Sequence, residues 1–254
     1  MRIRALLKSL TGVTRTPTYY LPFLTRPGLE CVLLLSNVEA RFKPSAHQGP
    51  FPISVVQYDA GGTVVERYSV SLQDCMQVVE LPLAPAPGRC GFVTVAGERI
   101  DSDLYVTLSD GETYMATHGR GEFVERYPPG TRALMGVLGG LLALVGRAIP
   151  AFARNQYVYV SPDSRSHLLL MNLSNVTNRI RVSVRRDSEP LGARLLTLRP
   201  MGTQLLDVST LARAAEAEPT VYHLRLAGNA WFNLYLVGAG PRDFAGPLSL
   251  MHVK

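Results

Sequence analysis

Apolar positions along this chain fall into three patterns, and each predicts a different kind of element. From Thr16-Pro17 onward most of the sequence alternates, or runs in short apolar bursts between turn residues, as strands do. In the first half this predicts strands over 31–35, 53–58, 63–72, 77–81, 91–96, 103–108 and 113–118. Pro- and Gly-rich connections at 44–52 and 82–88 separate them, with tight turns at Asp59-Ala60-Gly61-Gly62 and Asp110-Gly111.

The second pattern is one long apolar run, 133–153, in which nothing polar occurs between Ala133 and Gly146 and Arg147 is the first interruption. It predicts a helix over 133–149. At 1.5 Å per residue the whole run would be about 31 Å long, the thickness of a bilayer's hydrocarbon core. Its unbroken part is shorter, a length that suits a buried, docked or interfacial helix better than a span. Gly136 and Gly140 form a small-xxx-small pair that suits close packing against another helix. Three placements stay open: between two flanking domains, docked on or inserted in a membrane complex through Gly136, Gly140, Leu141 and Leu144, or across a bilayer.

The third pattern is N-terminal. Read as a helix over 1–16, Ile3, Leu6, Leu7 and Leu10 share a face, with Arg2, Arg4 and Lys8 largely off it. Such a helix suits a membrane interface or a partner surface. Lys8 breaks the apolar centre and no small-residue cleavage site follows, so no secretory signal peptide is expected.

The second half repeats the first in order. Leu33–Asn37 answers to Leu168–Asn172, the strand ending in Asp59 to 180–187, and Gln77–Leu81 to Gln204–Val208. Phe92–Gly97 answers to His223–Gly228, Asp103–Val106 to Asn233–Leu236, and Tyr114–His118 to Leu248–His252. A short helix over 209–217, capped by Ser209 and stopped by Pro219, is the one helical insertion. The expected fold is all-β: two tandem antiparallel β-sandwich domains from an internal duplication, 17–120 and 156–254. A linker, 121–155, carries the glycine-rich apolar helix between them.

Ser166-His167, Met171-Asn172, Asp187-Ser188-Glu189-Pro190-Leu191-Gly192, Thr203 and Asp207-Val208 resemble the soluble sensory-rhodopsin transducer family. The resemblance covers about 166–208. It implies a small β-sandwich that oligomerises and associates with a membrane photoreceptor. The first half has no Ser-His pair, and Asp59-Ala60-Gly61-Gly62 stands where the second half has its Glu-Pro turn.

Candidate chemistry is thin. No nucleophile elbow, phosphate-binding loop, dinucleotide fingerprint or zinc spacing occurs. Neither a cofactor nor a metal is expected, and no enzymatic activity. His118 and His252 are equivalent by the repeat, and strand-end histidines or a paired ligand site both fit them. Asp101, Asp103, Asp110 and Glu112 read as a solvated hairpin edge rather than a calcium loop. Trp231, Phe232 and Tyr235 read as core of the second sandwich. In the strand around 179–186, alternation buries Ile180, Val182 and Val184 and leaves Arg179, Arg181 and Arg185 as an outward stripe. That stripe either guards against sheet stacking or reads an acidic partner.

Composition narrows the partner. The net charge of +6 comes almost wholly from arginine, without the Lys/Arg runs and aromatic platforms of nucleic-acid binders. Cys31, Cys75 and Cys90 have no framework spacing and suit a reducing compartment. These features together predict a structural or adaptor protein on the cytoplasmic side of a membrane. It would be peripheral or partly inserted, with an integral membrane complex or the membrane surface as partner and homo-oligomerisation open. The rival is a soluble small-ligand module for a sugar or metabolite, with the apolar helix as inter-domain core.

Overall fold

Alternation along the chain becomes strand pairing in the computed structural model, which describes residues 12–42, 49–98, 100, 104–187, 189–212, 219–240 and 243–252. The chain is all-β, built on four antiparallel sheets, and divides into two compact units. The first unit holds Pro17–Phe123 with Leu250–His252; the second holds Val124–Ser249 and the chain before Pro17.

Strands β1 (Thr14–Leu24), β2 (Glu30–Leu35), β3 (Phe51–Tyr58), β4 (Val64–Leu72) and β5 (Val79–Pro82) are followed by β6 (Cys90–Ala96), β7 (Tyr105–Ser109), β8 (Tyr114–His118) and β9 (Arg120–Arg126). They form two sheets, β4-β3-β6-β1-β9 and β5-β2-β7-β8. After helix α1 (Pro129–Leu144) come β10 (Phe152–Val160), β11 (Arg165–Asn172), β12 (Asn178–Arg186), β13 (Glu189–Leu198) and β14 (Thr203–Asp207). Helix α2 (Val208–Ala212) precedes β15 (Thr220–Gly228), β16 (Phe232–Gly240) and β17 (Asp243–His252). Their sheets are β10-β15-β12-β13 and β14-β11-β16-β17. Strand for strand, β13-β12-β15-β10 has the order of β4-β3-β6-β1, and β14-β11-β16-β17 that of β5-β2-β7-β8.

The core of the second unit lies between its two sheets. Ile180, Val182 and Val184 of β12 and Tyr222, Leu224 and Leu226 of β15 meet Leu168 and Leu170 of β11 and Phe232 and Leu234 of β16. Each such side chain contributes about 1.5–3 kcal/mol by leaving water. One end of this sandwich is closed by buried asparagines. Asn172 Nδ2 donates to the carbonyls of Val176 (2.7 Å) and Arg199 (2.8 Å). Asn178 Nδ2 donates to Ala230 O (2.9 Å), and its Oδ1 accepts the Asn229 and Ala230 amides. Unmade, such bonds would each cost about 1–3 kcal/mol, so the 173–177 turn and the 228–231 turn are held tightly.

Several sequence expectations need correction. The stretch 121–155 is more than a linker: most of β9 and the start of β10 lie in it. Pattern reading passes over β1 because Pro17 and Pro22 argue against a strand inside a sheet, yet β1 sits between β6 and β9. Residues 14–16, assigned to an N-terminal helix, are strand; the rest of that helix, through residue 11, lies outside the described residues. Helix α1 begins four residues before the expected 133 and ends at Leu144 rather than 149. Pro129 pre-sets the backbone angle of the first turn and needs no amide partner there. At the other end Gly146 adopts φ +67°. Its amide bonds Ala143 O (3.0 Å) while the Arg147 amide bonds Leu142 O (2.9 Å), a Schellman stop that glycine favours. In α2 the cap is Asp207, whose Oδ1 accepts the Ser209 amide at 2.8 Å, not Ser209 itself. Residues 213–218 of the expected 209–217 helix lie outside the described residues.

Candidate functional site

Helix α1 is apolar on the side that faces water. Leu134, Val137, Leu138, Leu141 and Leu144, with Val145 just past its end, are 45–84 % exposed. Their spacing, i, i+3, i+4, i+7, i+10 and i+11, places them on one face. This is the reverse of an ordinary surface helix, which buries its apolar stripe. The opposite side is partly buried, including Leu142 and Ala143. Met135 packs on a small cluster of Tyr127, Val176 and Ala230, with Val13 beside it. Gly139 is buried on the Arg179 side chain: a Cβ there would lie 3.1 Å from Nη1. Gly140 is next to the same guanidinium, whereas a Cβ on Gly136 would meet nothing within 4 Å.

The approach to α1 is firmer than the helix itself. Glu125 is buried; Arg15 Nε (3.0 Å) and Nη2 both donate to its Oε1, and Tyr127 Oη donates to Oε2 at 2.7 Å. Backbone bonds link Glu125 to Leu173 and Asn175, and the Asn175 side chain accepts the Tyr127 amide and donates to its carbonyl. Burial first, and then the neighbouring Glu125 charge, push the Tyr127 phenol well above its ordinary value. The segment entering α1 is thus fastened to the 173–175 turn.

Alternation in β12 is as expected: Asn178, Ile180, Val182 and Val184 are buried, and Arg181 and Arg185 are exposed. Arg179 departs from the stripe. It runs under Gly139, and its Nη1 is buried without a hydrogen-bond partner. The register sets Arg185 beside His223 and Ser183 beside Arg225 on β15, with Arg225 also exposed. On β10, Tyr157 and Tyr159 are exposed, and the Tyr157 ring lies 5.0 Å from that of His223. The outward positions of this sheet from β10 through β13 (Ala153, Asn155, Tyr157, Tyr159; Val221, His223, Arg225, Ala227; Arg179, Arg181, Ser183, Arg185; Ala193, Leu195, Thr197) include no carboxylate.

Of the residues singled out from sequence, Gly140, Leu141, Leu144 and Arg179 fall on or under α1, and Gly136 on its exposed flank. Arg181 and Arg185 continue the row that Arg179 starts. Arg2, Ile3, Arg4, Leu6, Leu7, Lys8 and Leu10 lie outside the described residues. Sequence reading missed Leu134, Val137, Leu138 and Val145, because a run apolar on every side does not reveal which face is left out. It also missed Arg225, Tyr157 and Tyr159, whose outward phase is set by pairing.

Asp101 and Asp103 lie outside the described residues, whereas Asp110, His118, Trp231 and the cysteines have structural settings. Asp110 Oδ1 accepts the Thr113 amide (2.7 Å) and hydroxyl (2.8 Å), and its Oδ2 pairs with Arg26. The Thr113 bonds first, with help from Glu112 and Arg26, lower its carboxyl to about 2. His118 Nδ1 is 3.1 Å from Gly119 O. Phe232 and Tyr235 are core, but Trp231 is half-buried, edge-on to Phe152 with Arg154 stacked over it. All three cysteines are free; burial pushes the Cys31 thiol up to about 12, against a bond to Leu24 O. No group of metal-ligating side chains occurs among the described residues, and no described helix is long and apolar enough to cross a membrane. The first unit has an open depression of about 620 Å³ whose lining is apolar apart from Ser54, Ser69 and Glu98.

No family model matches the chain, and no curated protein matches its sequence.

Proposed function

We propose that this protein is a non-enzymatic adaptor, a membrane-associated accessory subunit that docks on an integral membrane complex from the cytoplasmic side. The observation that carries this reading is the apolar face of α1, six large side chains turned to water along the helix and just past its end. An exposed contiguous apolar patch rimmed by polar surface marks an interaction site. The shared strand order of the two units supports a tandem duplication, in which the sandwiches form a platform and α1 lies outside the repeated strands. The resemblance of 166–208 to transducers that associate with a membrane photoreceptor points the same way.

Fractionation tests it. The intact protein should pellet with its native membranes at low salt. Leu138→Glu/Leu141→Glu should move it to the supernatant without lowering its melting temperature, because both positions are exposed. An intact protein found wholly in the supernatant, without detergent, would overturn the proposal.

A further inference from the structure

We infer that the α1 face of the second unit binds directly to an anionic phospholipid surface. In this arrangement α1 lies in the plane of the interface, its ridge at the acyl boundary, and Arg181, Arg185 and Arg225 engage headgroup phosphates. The inference rests on the membrane-associated reading above and names what the ridge touches.

Geometry favours an in-plane helix. The 16 residues of α1 reach about 24 Å, too short to span. A helix that lies in the interface needs only one apolar face, sunk about 5–10 Å. Its other face here is occupied by Met135, Gly139 and the Arg179 side chain. Arginines stand just before and after the apolar run, Arg132 and Arg147, both exposed. An interfacial helix places such side chains where their cations stay at headgroup level while their stems lie along apolar material.

Charge decides between lipid and protein. The neighbouring sheet face has arginines on two strands and no carboxylate at its outward positions, and it joins α1 through Arg179. A protein partner would meet this positive patch with one matching negative patch in a fixed register. A face whose charges are arginines on β12 and β15, continuous with an apolar ridge, complements a partner that is anionic and laterally uniform, as an acidic leaflet is. The exposed Tyr157 and Tyr159 add amphipathic rings of the kind enriched at membrane interfaces.

The test is sedimentation of the full-length protein with vesicles of phosphatidylcholine alone or mixed with phosphatidylglycerol, at low and high salt. Binding is expected on the mixed vesicles, falling as salt rises, and weak on phosphatidylcholine alone. Replacing Arg181, Arg185 and Arg225 together by alanine should weaken binding on the order of a hundredfold, with an unchanged melting curve. The triple lysine variant should keep most of it. A polarity-sensitive dye on Leu141→Cys should shift to the blue on the mixed vesicles. Equal binding to both vesicles, or full retention by the triple alanine variant, would overturn the inference. A protein that ignores both vesicles yet pellets with native membranes, and is released when those membranes are treated with protease, would overturn lipid binding and leave the docking reading standing. One that pellets with neither would remove both.

Discussion

Glu125 is buried with both carboxylate oxygens in use, one by Arg15 and one by Tyr127. Its removal takes one acceptor from a phenol and from a guanidinium. Arg15 is about one-third exposed and can turn to water, so the loss should be below the 3–5 kcal/mol of a fully buried pair. We expect Glu125→Ala to cost about 2 kcal/mol in urea unfolding, and an unchanged midpoint would show the cluster to be decoration. Asp110 gives a pH-dependent counterpart. Its carboxyl is lowered in the folded state, so its contribution is present above its ordinary value of 3.8 and is lost as pH falls toward about 2. Thermal melts of the protein and of Asp110→Asn should therefore differ at neutral pH and converge over that acid interval. Parallel curves throughout would remove the role assigned to the Thr113 and Arg26 bonds.

Glycine has two opposite meanings within α1, and substitution separates them. A Cβ on Gly136 meets open space, so Gly136→Ala should stabilise the protein by up to about 1 kcal/mol through helix propensity alone. Gly146 sits at φ +67° in the Schellman stop, where Gly146→Ala should cost about 1 kcal/mol or more. Urea midpoints moving in opposite directions would confirm both settings; a destabilised Gly136→Ala would mean that something packs there. The difference bears on what sequence could tell. The run of 133–153 announced a helix, but its stop comes at Gly146, before the expected end at 149, and nothing in the run distinguishes Gly136 from Gly139. That distinction comes from Arg179, forty positions further on, whose side chain fills the space under one and not the other. Likewise alternation disclosed the phase of β12 on its own, whereas the exposed β9 and the proline-bearing β1 owe their place to neighbours in the sheet.

At the scale of the molecule, the all-β class was legible because each sandwich strand buries one face, and burial writes itself as period two. The surface was not, since an exposed leucine and a core leucine are the same letter. The ridge of α1 has a direct physical consequence for the isolated protein. Six large apolar side chains in contact with water favour self-association as concentration rises. Light scattering of the purified protein should increase with concentration, and Leu138→Glu/Leu141→Glu should suppress that increase while leaving stability within about 0.5 kcal/mol. A variant that scatters as the parent does would place the sticky surface elsewhere.

Lifting a helix from an apolar seat exposes hydrocarbon to water, and the heat capacity rises with it. Beyond Met135 the seat of α1 holds a guanidinium beneath a glycine, with Leu142 and Ala143 half-buried beside it. Detaching that half of the helix would wet little hydrocarbon beyond the covered part of Leu142 and Ala143, so its heat-capacity increment should be small. The attachment of α1 would then respond to temperature along a nearly straight line, while the sandwich beneath it follows the curved dome of a buried core.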